Sequence, residues 1–359
     1  MTKVAVVGAG AIGGAIGGLL TLHGHDVVLV DQWPEHVETM RSRGLRLTIG
    51  PLERPEVEHT IAVRARHVHE VCGIREMLDV VFLACKSYDT RWMTQLIEPN
   101  LAPDGVVVSV QNSLNDEWIA PIVGAGRAVA CVLTAGGELL EPGHVWRNRR
   151  LDYHYYTIGE VDGSSTPRLT ELAALLGDAG RTTVSARIWG ARWSKLVTNT
   201  ASAAMSGLVD PSRREWDLVD EPAWRAASAA LYREGAAVAV ANGVTLEPLF
   251  GMTAADLTND PNEVVRRIMA AKAGGASEGA TTMIQQDLRR GRPTEVVGYF
   301  NGLIARKGLE KGIPTPMNDA MVRLYVRLEA GELAPSLDNL DRLVDDASLE
   351  TGAATGGSA

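Results

Sequence analysis

Short apolar runs alternate with helical patterns over the first half of the chain. Residues 3–7 and 26–30 are β-branched runs typical of buried parallel strands. A glycine-rich loop and an apolar helix pattern lie between them, so the opening of the chain predicts one βαβ unit of about thirty residues. Further strand-like runs follow at 80–84, 106–110 and 128–133. The alternation predicts an α/β domain with a Rossmann-type, doubly wound parallel sheet.

The pattern changes near residue 188. Residues 144–158 are predicted to be extended, and 166–177 are predicted to form the last helix of the first half. Beyond this point the apolar positions follow helical spacing and no convincing strand occurs, which predicts an all-helical second domain. Its predicted helices cover 188–204, 222–242, 277–290, 294–307 and 318–330.

These patterns divide the chain into three parts. A dinucleotide-binding Rossmann domain is predicted over 1–183, and a helical substrate domain over 184–335. A C-terminal segment, 336–359, follows. Its last ten residues, 350–359, are small and polar, so we expect them to be disordered.

The composition excludes several classes of function. Of 359 residues, 22% are charged and 45% hydrophobic, which is ordinary for a globular protein. The net charge of -9 disfavours binding to nucleic acid or to an anionic membrane. Cys72, Cys85 and Cys131 are too scattered for a disulfide framework, no apolar run approaches the roughly 18 residues of a membrane span, and the N-terminus lacks a signal-peptide pattern. We predict a cytoplasmic protein that acts on a small molecule, with a homodimer as its candidate assembly.

A glycine pattern, Gly8-x-Gly10-x-x-Gly13, follows the first strand and opens the first helix. In this context Gly8 permits a tight turn, Gly10 lets the backbone approach a pyrophosphate, and Gly13 lets helix and strand pack closely. The start of the helix, with Ala11 and Ile12, presents free N–H groups and a partial positive charge to phosphates. The pattern therefore predicts a dinucleotide-binding loop.

The end of the second strand predicts the choice of nicotinamide cofactor. Asp31 closes this strand and Gln32 follows it, with no Arg or Lys before Arg41. A carboxylate at this position can accept hydrogen bonds from the ribose hydroxyls of NAD, and it repels the 2′-phosphate of NADP. We therefore predict NAD(H), with NADP(H) as the less favoured alternative.

Five polar residues are candidates for the chemistry. Lys86 lies just past the third predicted strand and Asn112 just past the fourth. Open α/β sheets bind ligands beyond the carboxyl ends of their strands, so both residues are predicted to face the cofactor. In the second half, Lys195 and Asn199 stand four residues apart on one helix face, and Glu295 lies near a helix start.

In the order of its motifs, the chain resembles the ketopantoate reductase (2-dehydropantoate 2-reductase) family. The motifs are W-S-K-L-x-x-N around Lys195, Q-D-x-x-x-G-R-P-T-E ending at Glu295, Asn301-Gly302, and G-I-P-T-P at 312–316. The resemblance implies a Rossmann domain, a helical domain and an active site in the cleft between them. It also implies NAD(P)H-dependent reduction of a 2-oxo acid or a similar ketone.

The resemblance assigns roles by matching position. Lys195 would be the catalytic lysine, and Glu295 the carboxylate that orients lysine and substrate. Asn112 and Asn199 would be polar groups of the cleft, with Lys86 beside the nicotinamide. Hydride addition to a ketone leaves charge on oxygen, which a lysine ammonium stabilises and protonates. We therefore predict an NAD(H)-dependent oxidoreductase that interconverts a 2-hydroxy acid or secondary alcohol and its ketone, with Lys195 as general acid and base.

Departures from the family pattern bear on the substrate. Ala203 stands where the family carries a second asparagine, and 294–297 read T-E-V-V where the family has T-E-I-D. Residues 281–287 lack the family's substrate-gripping serine and contain one apparent extra residue. A site built for a substrate hydroxyl discriminates through that contact, so these losses predict a divergent member whose substrate differs from ketopantoate. An insertion at 249–279 is a candidate lining of the cleft.

Alternatives remain open at several of these points. The chain also fits a true, NADPH-dependent ketopantoate reductase of pantothenate synthesis. A non-catalytic NAD(H)-sensing protein would need only the glycine loop and Asp31. Lys86 and Asn112 also fit ordinary strand-end and turn residues, and Glu295 fits a first-turn glutamate that favours a helix N-terminus.

Two further patterns receive no ligand-binding role. We predict no metal site, because nothing completes the His67-x-His69-x-x-Cys72 pattern. We expect Arg147, Arg149 and Arg150 to form a solvated basic patch.

Overall fold

A computed structural model describes residues 1–52, 54–134, 136–150, 154–249, 261–273 and 281–355. The chain divides into two compact units, the first comprising Met1–Ile188 and the second beginning at Trp189. Among the described residues, no helix combines the length and apolar character that crossing a bilayer requires.

The strands of the described residues all belong to the first unit and form two sheets. They are β1 (Lys3–Val7), β2 (Asp26–Asp31), β3 (Leu45–Ile49), β4 (Val57–Ile61), β5 (Arg64–His67), β6 (Leu78–Leu83), β7 (Leu101–Ser109), β8 (Ala128–Leu133), β9 (Gly137–Glu141), β10 (His144–Arg147), β11 (His154–Glu160) and β12 (Arg181–Val184). The helices of this unit are α1 (Ala11–Leu22), α2 (Pro34–Arg43), α3 (Thr90–Ile97), α4 (Asp116–Val123) and α5 (Pro167–Gly177).

The larger sheet confirms the predicted doubly wound fold. Its order is β12-β11-β8-β7-β6-β1-β2-β5, and the six strands from β8 to β5 are parallel. These six follow the 3-2-1-4-5-6 order of a dinucleotide-binding sheet, in which the order of successive strands reverses between β1 and β6. Val6 and Leu29 are buried on one face, and Val7 and Val30 on the other. Burial on both faces explains the continuous apolar runs of these strands.

The smaller sheet, β4-β3-β10-β9, was not predicted. β3 pairs in parallel with β10, so that Arg46 lies beside His144, almost a hundred residues away in sequence. Helix α1 packs against both sheets, because Gly17 faces Leu29 of β2 and Gly18 faces Leu45 of β3. The small residues of α1 allow this close approach.

The described part of the second unit is helical apart from an isolated bridge residue at position 249, in agreement with the predicted fold class. The helices are α6 (Ile188–Ala201), α7 (Ala203–Ser206), α8 (Pro222–Ala241), α9 (Pro261–Ala273), α10 (Met283–Arg289), α11 (Val296–Tyr299), α12 (Asn301–Lys311), α13 (Pro316–Glu329) and α14 (Asp338–Thr355).

Two helix predictions and one expectation of disorder differ from the structure. The helix predicted over 188–204 is interrupted at Ser202, and that over 294–307 at Phe300, where the backbone leaves helical geometry. Helix α14 continues to Thr355, through part of the segment expected to be disordered, because extending an existing helix costs little compared with starting one. Residues 356–359, and 277–280 of the helix predicted over 277–290, lie outside the described residues.

Candidate active site

The glycine loop after β1 has the geometry that its three glycines predict. Gly8 has φ +92°, a conformation that L side chains rarely adopt, and its N–H donates to Val30 O at 2.8 Å. A Cβ on Gly8 would lie 2.6 Å from Cys85 N, and one on Gly13 would lie 1.9 Å from Gly8 O. By contrast, a Cβ on Gly10 would meet no atom within 4 Å. Gly8 and Gly13 therefore serve packing, whereas Gly10 faces open space.

Helix α1 begins directly after this loop, at Ala11 and Ile12. Its N-cap is Gly10, so no side chain caps the helix, and its first turn contains no acidic residue. The N–H groups of such a turn are the donors that phosphates use at helix N-termini.

Asp31 is the last residue of β2, and its side chain is half-buried. Its Oδ1 accepts a hydrogen bond from Trp33 N at 2.8 Å, and Oδ2 accepts none from a described residue. The exposed Gln32 donates from Nε2 to Asp89 Oδ2 at 3.2 Å. Asp89 therefore places a second carboxylate close to the end of β2. Sequence analysis did not single out this residue.

His36 is a further residue that sequence analysis missed. It is fully buried in α2, and Nε2 lies 2.9 Å from Ala9 O of the glycine loop. Its Nδ1 accepts a hydrogen bond from Gly143 N at 2.8 Å, so Nε2 carries the proton and donates to Ala9. This imidazole ties the glycine loop to the turn between β9 and β10. A lone histidine in an amphipathic helix gives no sequence signal for such a role.

Lys86 and Asn112 lie beyond the carboxyl ends of the neighbouring strands β6 and β7, as predicted. Val110 N donates to Leu83 O at 3.1 Å, which continues the strand pairing up to this edge. Both Lys86 and Asn112 are half-buried. The residue after Asn112 is Ser113, which has φ +73°. A left-handed serine marks a tightly specified turn at this position.

Lys195, Asn199 and Glu295 belong to the second unit. Lys195 and Asn199 share one face of α6, where the lysine is half-buried and the asparagine 1% exposed. Glu295 is 4% exposed and forms the N-cap of α11. The segment that carries Glu295 continues into α12, and there Asn301 Nδ2 donates to Thr200 O at 3.5 Å. This bond connects the segment to the end of α6 beside Asn199.

The sequence models of two domains match this chain. The N-terminal model, "Ketopantoate reductase PanE/ApbA", matches residues 4–163, and the C-terminal model of the same family matches 187–329. The chain belongs to the ketopantoate reductase family. This family comprises oxidoreductases that act on CH–OH groups and bind a nicotinamide cofactor.

Individual relatives span nearly the whole chain. The 2-dehydropantoate 2-reductase of Archaeoglobus fulgidus is 28% identical over 92% of this chain and 98% of its own length. A PanE/ApbA family ketopantoate reductase from Ralstonia eutropha JMP134 is 29% identical, with a TM-score of 0.76 over 92% of this chain and 99% of that one. D-mandelate dehydrogenase, solved with NADH and anilino(oxo)acetate, is 21% identical and has a TM-score of 0.78 over the same shares, which shows a common fold.

Asn301 and the two residues that follow G-I-P-T-P meet in a hydrogen-bond network around the half-buried Glu234. The carboxylate of Glu234 accepts hydrogen bonds from Met317 N at 2.9 Å, Asn318 N at 3.0 Å and Asn318 Nδ2 at 2.7 Å. Asn318 Oδ1 in turn accepts from Asn301 Nδ2 at 3.0 Å. Burial raises the pKa of Glu234, although these three bonds oppose the shift. The network caps α13 and joins it to α12, which gives a structural role to Asn301 and to Met317 and Asn318, the two residues that follow G-I-P-T-P.

The departures from the family pattern have defined places. Ala203, in α7, is 2% exposed. Thr282 is the N-cap of α10 in a capping box: it accepts from Gln285 N at 3.2 Å and its own N–H donates to Gln285 Oε1 at 3.1 Å. Its Oγ1 also lies 2.7 Å from Ser206 Oγ. The T-x-x-Q spacing is a sequence signal for such a cap, which sequence analysis did not use. The candidate insertion at 249–279 lies mostly outside the described residues.

The expectation of a solvated basic patch is wrong for Arg147. Its side chain is 2% exposed, and its Cζ lies 3.4 Å from the ring centroid of Tyr155. The guanidinium donates to the carbonyl oxygens of Ala179, Arg149 and Arg150. β10 is an inner strand with every residue buried. The guanidinium of Arg147 must therefore donate its hydrogen bonds to acceptors inside the fold.

His67 and His69 belong to the incomplete pattern for which no metal site was predicted. Their rings stack with centroids 5.2 Å apart, and His67 Nε2 lies 2.7 Å from Glu38 Oε1. Among the described residues, no group of three or more His, Cys, Asp or Glu side chains is arranged to hold a metal ion.

Proposed function

We propose that this protein is an NAD(H)-dependent oxidoreductase that interconverts a 2-hydroxy acid, or a related secondary alcohol, and its ketone. The observation that carries the proposal is the half-buried Lys195 on one face of α6 with the buried Asn199. The same chain carries a glycine loop in which Gly10 is open to a pyrophosphate. A lysine held among polar groups can protonate a ketone oxygen as hydride adds to carbon.

NAD(H) is the proposed cofactor because of the charges near the end of β2. One carboxylate oxygen of Asp31 accepts from no described residue and is therefore available to a ribose hydroxyl. Asp89 adds a second negative charge beside Gln32. A 2′-phosphate would face two carboxylates there, and repulsion between like charges would disfavour NADP(H).

The proposed chemistry divides among the chain's own residues. NADH, when bound, supplies the hydride. The Lys195 ammonium donates a hydrogen bond to the ketone oxygen and transfers its proton there, while in the oxidation direction neutral Lys195 removes the hydroxyl proton. Glu295 holds the lysine charged and in place. Asn199 and Asn112 orient polar groups of the substrate and the nicotinamide without adding charge, and Lys86 contributes positive charge on the nicotinamide side.

The proposed substrate is less polar than ketopantoate. Ala203 offers a methyl group where the family carries an amide. The Thr282 hydroxyl is already engaged with Gln285 and Ser206. A pocket without these polar contacts binds an apolar substituent of the substrate more favourably than a hydroxyl group. We therefore propose a 2-oxo acid with an aromatic or branched apolar side chain.

Substitution of Lys195 tests the proposed mechanism. Lys195→Ala should lower kcat by about 10²–10⁴, the usual contribution of a positioned proton donor. Glu295→Gln should cost less, because the proton donor remains. Affinity for NADH should barely change in either variant. Lys311→Ala, which removes an exposed lysine of α12, is the matched control and should retain full activity.

A Lys195→Ala protein that folds, binds NADH and turns over within a few-fold of wild type would remove Lys195 from the mechanism.

A second candidate function is a true ketopantoate reductase that uses NADPH. It is favoured by the 2-dehydropantoate 2-reductase of Archaeoglobus fulgidus, 28% identical over 92% of this chain. Efficient reduction of ketopantoate with NADPH would establish that function in place of the first.

A further inference from the structure

The loops that follow β6 and β7 are joined by a buried side-chain network. Gln111, directly before Asn112, donates from Nε2 to Cys85 O at 2.8 Å and to Thr90 Oγ1 at 2.8 Å. Cys85 directly precedes Lys86, so this amide spans from the chain beside Asn112 to the chain beside Lys86. Thr90 begins α3, which leads away from the loop.

Asn115 forms the second half of the network. The Thr90 hydroxyl donates to Asn115 Oδ1 at 3.2 Å. Asn115 Nδ2 donates to Ser87 Oγ at 3.0 Å and to Asn112 O at 2.6 Å. Ser87 directly follows Lys86. The amide clamp, defined as the side chains of Ser87, Thr90, Gln111 and Asn115, therefore holds the residues on both sides of Lys86 and the carbonyl of Asn112.

The amide clamp is closed to water and fixed in orientation. Gln111 is 5% exposed, Ser87 2%, and Thr90 and Asn115 0%. Each amide nitrogen donates to a backbone carbonyl, which can only accept, so neither amide can be reversed without losing a bond. The Thr90 hydroxyl accepts from one amide and donates to the other, which makes it the link between the two halves. A buried amide left without its partner is energetically costly, so the arrangement resists partial opening.

We propose that Thr90, Gln111 and Asn115 are positioning residues of the reaction, which set the distance between Lys86 and Asn112. The inference rests on the proposed function, in which these two residues contact the nicotinamide side of the site. Misplacement of reacting groups by about 1 Å can lower a rate by about 10²-fold. None of the clamp's side chains is ionisable. Loss of the clamp should therefore lower the rate equally at every pH, whereas loss of Glu295 should alter the pH profile.

Thr90→Val tests the proposal, because it keeps the shape of Thr90 and removes the hydroxyl that links the two amides. Thr94→Val is the matched control. Thr94 is equally buried in α3, and among the described residues its hydroxyl donates to Thr90 O alone, at 2.6 Å. Thr90→Val should lower kcat by roughly 10- to 100-fold with the best 2-oxo acid, and change the Kd for NADH by less than about threefold. Thr94→Val should stay within about twofold of wild type, and Thr90→Ser should restore most of the rate.

Amide hydrogen exchange gives a readout that needs no turnover. With NADH bound, Thr90→Val should speed exchange at 85–88 and at 111–115, and Thr94→Val should not. Equal kcat and equal exchange in the two valine variants would overturn the positioning role, as would a rate loss shared by Thr94→Val. If wild-type protein reduces no 2-oxo acid, the proposed function fails, while the exchange comparison still decides whether the clamp holds the two loops together.

Discussion

Replacement of Gly10 by alanine separates cofactor binding from folding. A Cβ at this position meets no atom of the protein within 4 Å, and the backbone is extended with a negative φ, at φ -64° and ψ -154°. The entropic gain of a Gly→Ala change, about 0.4–1 kcal/mol, is offset by the poorer N-cap that alanine makes. We therefore expect the free energy of unfolding to change by less than about 1 kcal/mol.

Affinity for NADH should nevertheless fall. The added methyl group occupies the space through which the pyrophosphate approaches the loop, and overpacking by one methyl group costs about 1–3 kcal/mol, or roughly 5- to 150-fold in Kd. Titration of NADH fluorescence measures this directly. Gly177→Ala is the control, because its Cβ also meets open space but lies at the end of α5, far along the chain from the loop. A Gly10→Ala protein that binds NADH as tightly as the Gly177→Ala protein would refute the assignment of the loop.

Three further changes test other parts of the account. Wild-type protein should prefer NADH over NADPH by at least about tenfold in kcat/KM, or about 1.4 kcal/mol, and Asp31→Ala combined with Gln32→Arg should narrow or reverse that ratio. Arg147→Ala should destabilise the protein by at least about 3 kcal/mol in urea unfolding, since it empties a buried site and strips carbonyls of their donor; a loss below about 1 kcal/mol would contradict this. Burial and the charge of Arg181 hold the pKa of His154 below 6.5, so the unfolded chain binds the extra proton first and stability should fall as the pH drops below 6.5. His154→Gln should flatten that slope in urea titrations at several pH values.

The parallel sheet could be predicted because its strands are buried on both faces. Such strands appear as unbroken apolar runs, and the glycine loop marks the first turn without ambiguity. The smaller sheet could not be predicted in this way. Its strands are short, and β3 and β10 pair across almost a hundred residues, a contact that no local pattern encodes.

The residues of the candidate site also divide into those that local sequence patterns indicate and those that depend on contacts in the folded chain. The order of the motifs indicates Lys195, Asn199 and Glu295, and the strand ends indicate Lys86 and Asn112; their roles stay predictions. His36, which holds the glycine loop, and Asn115, which holds Asn112, were missed because their contacts depend on tertiary structure. Arg147 was misjudged for a related reason: three arginines in four positions usually mark a solvated face, and only the burial of β10 on both sides shows otherwise.

The central claim is that the chain reduces 2-oxo acids with NADH. A panel of 2-oxo acids, including ketopantoate and benzoylformate, should be followed by NADH and NADPH absorbance with wild-type protein. The proposed function predicts turnover of at least one apolar 2-oxo acid, with kcat/KM at least about tenfold higher with NADH than with NADPH, and poor activity on ketopantoate. Tight NADH binding without turnover of any member of the panel would contradict it and favour a sensing protein. Better turnover with NADPH and ketopantoate would contradict it in favour of a ketopantoate reductase.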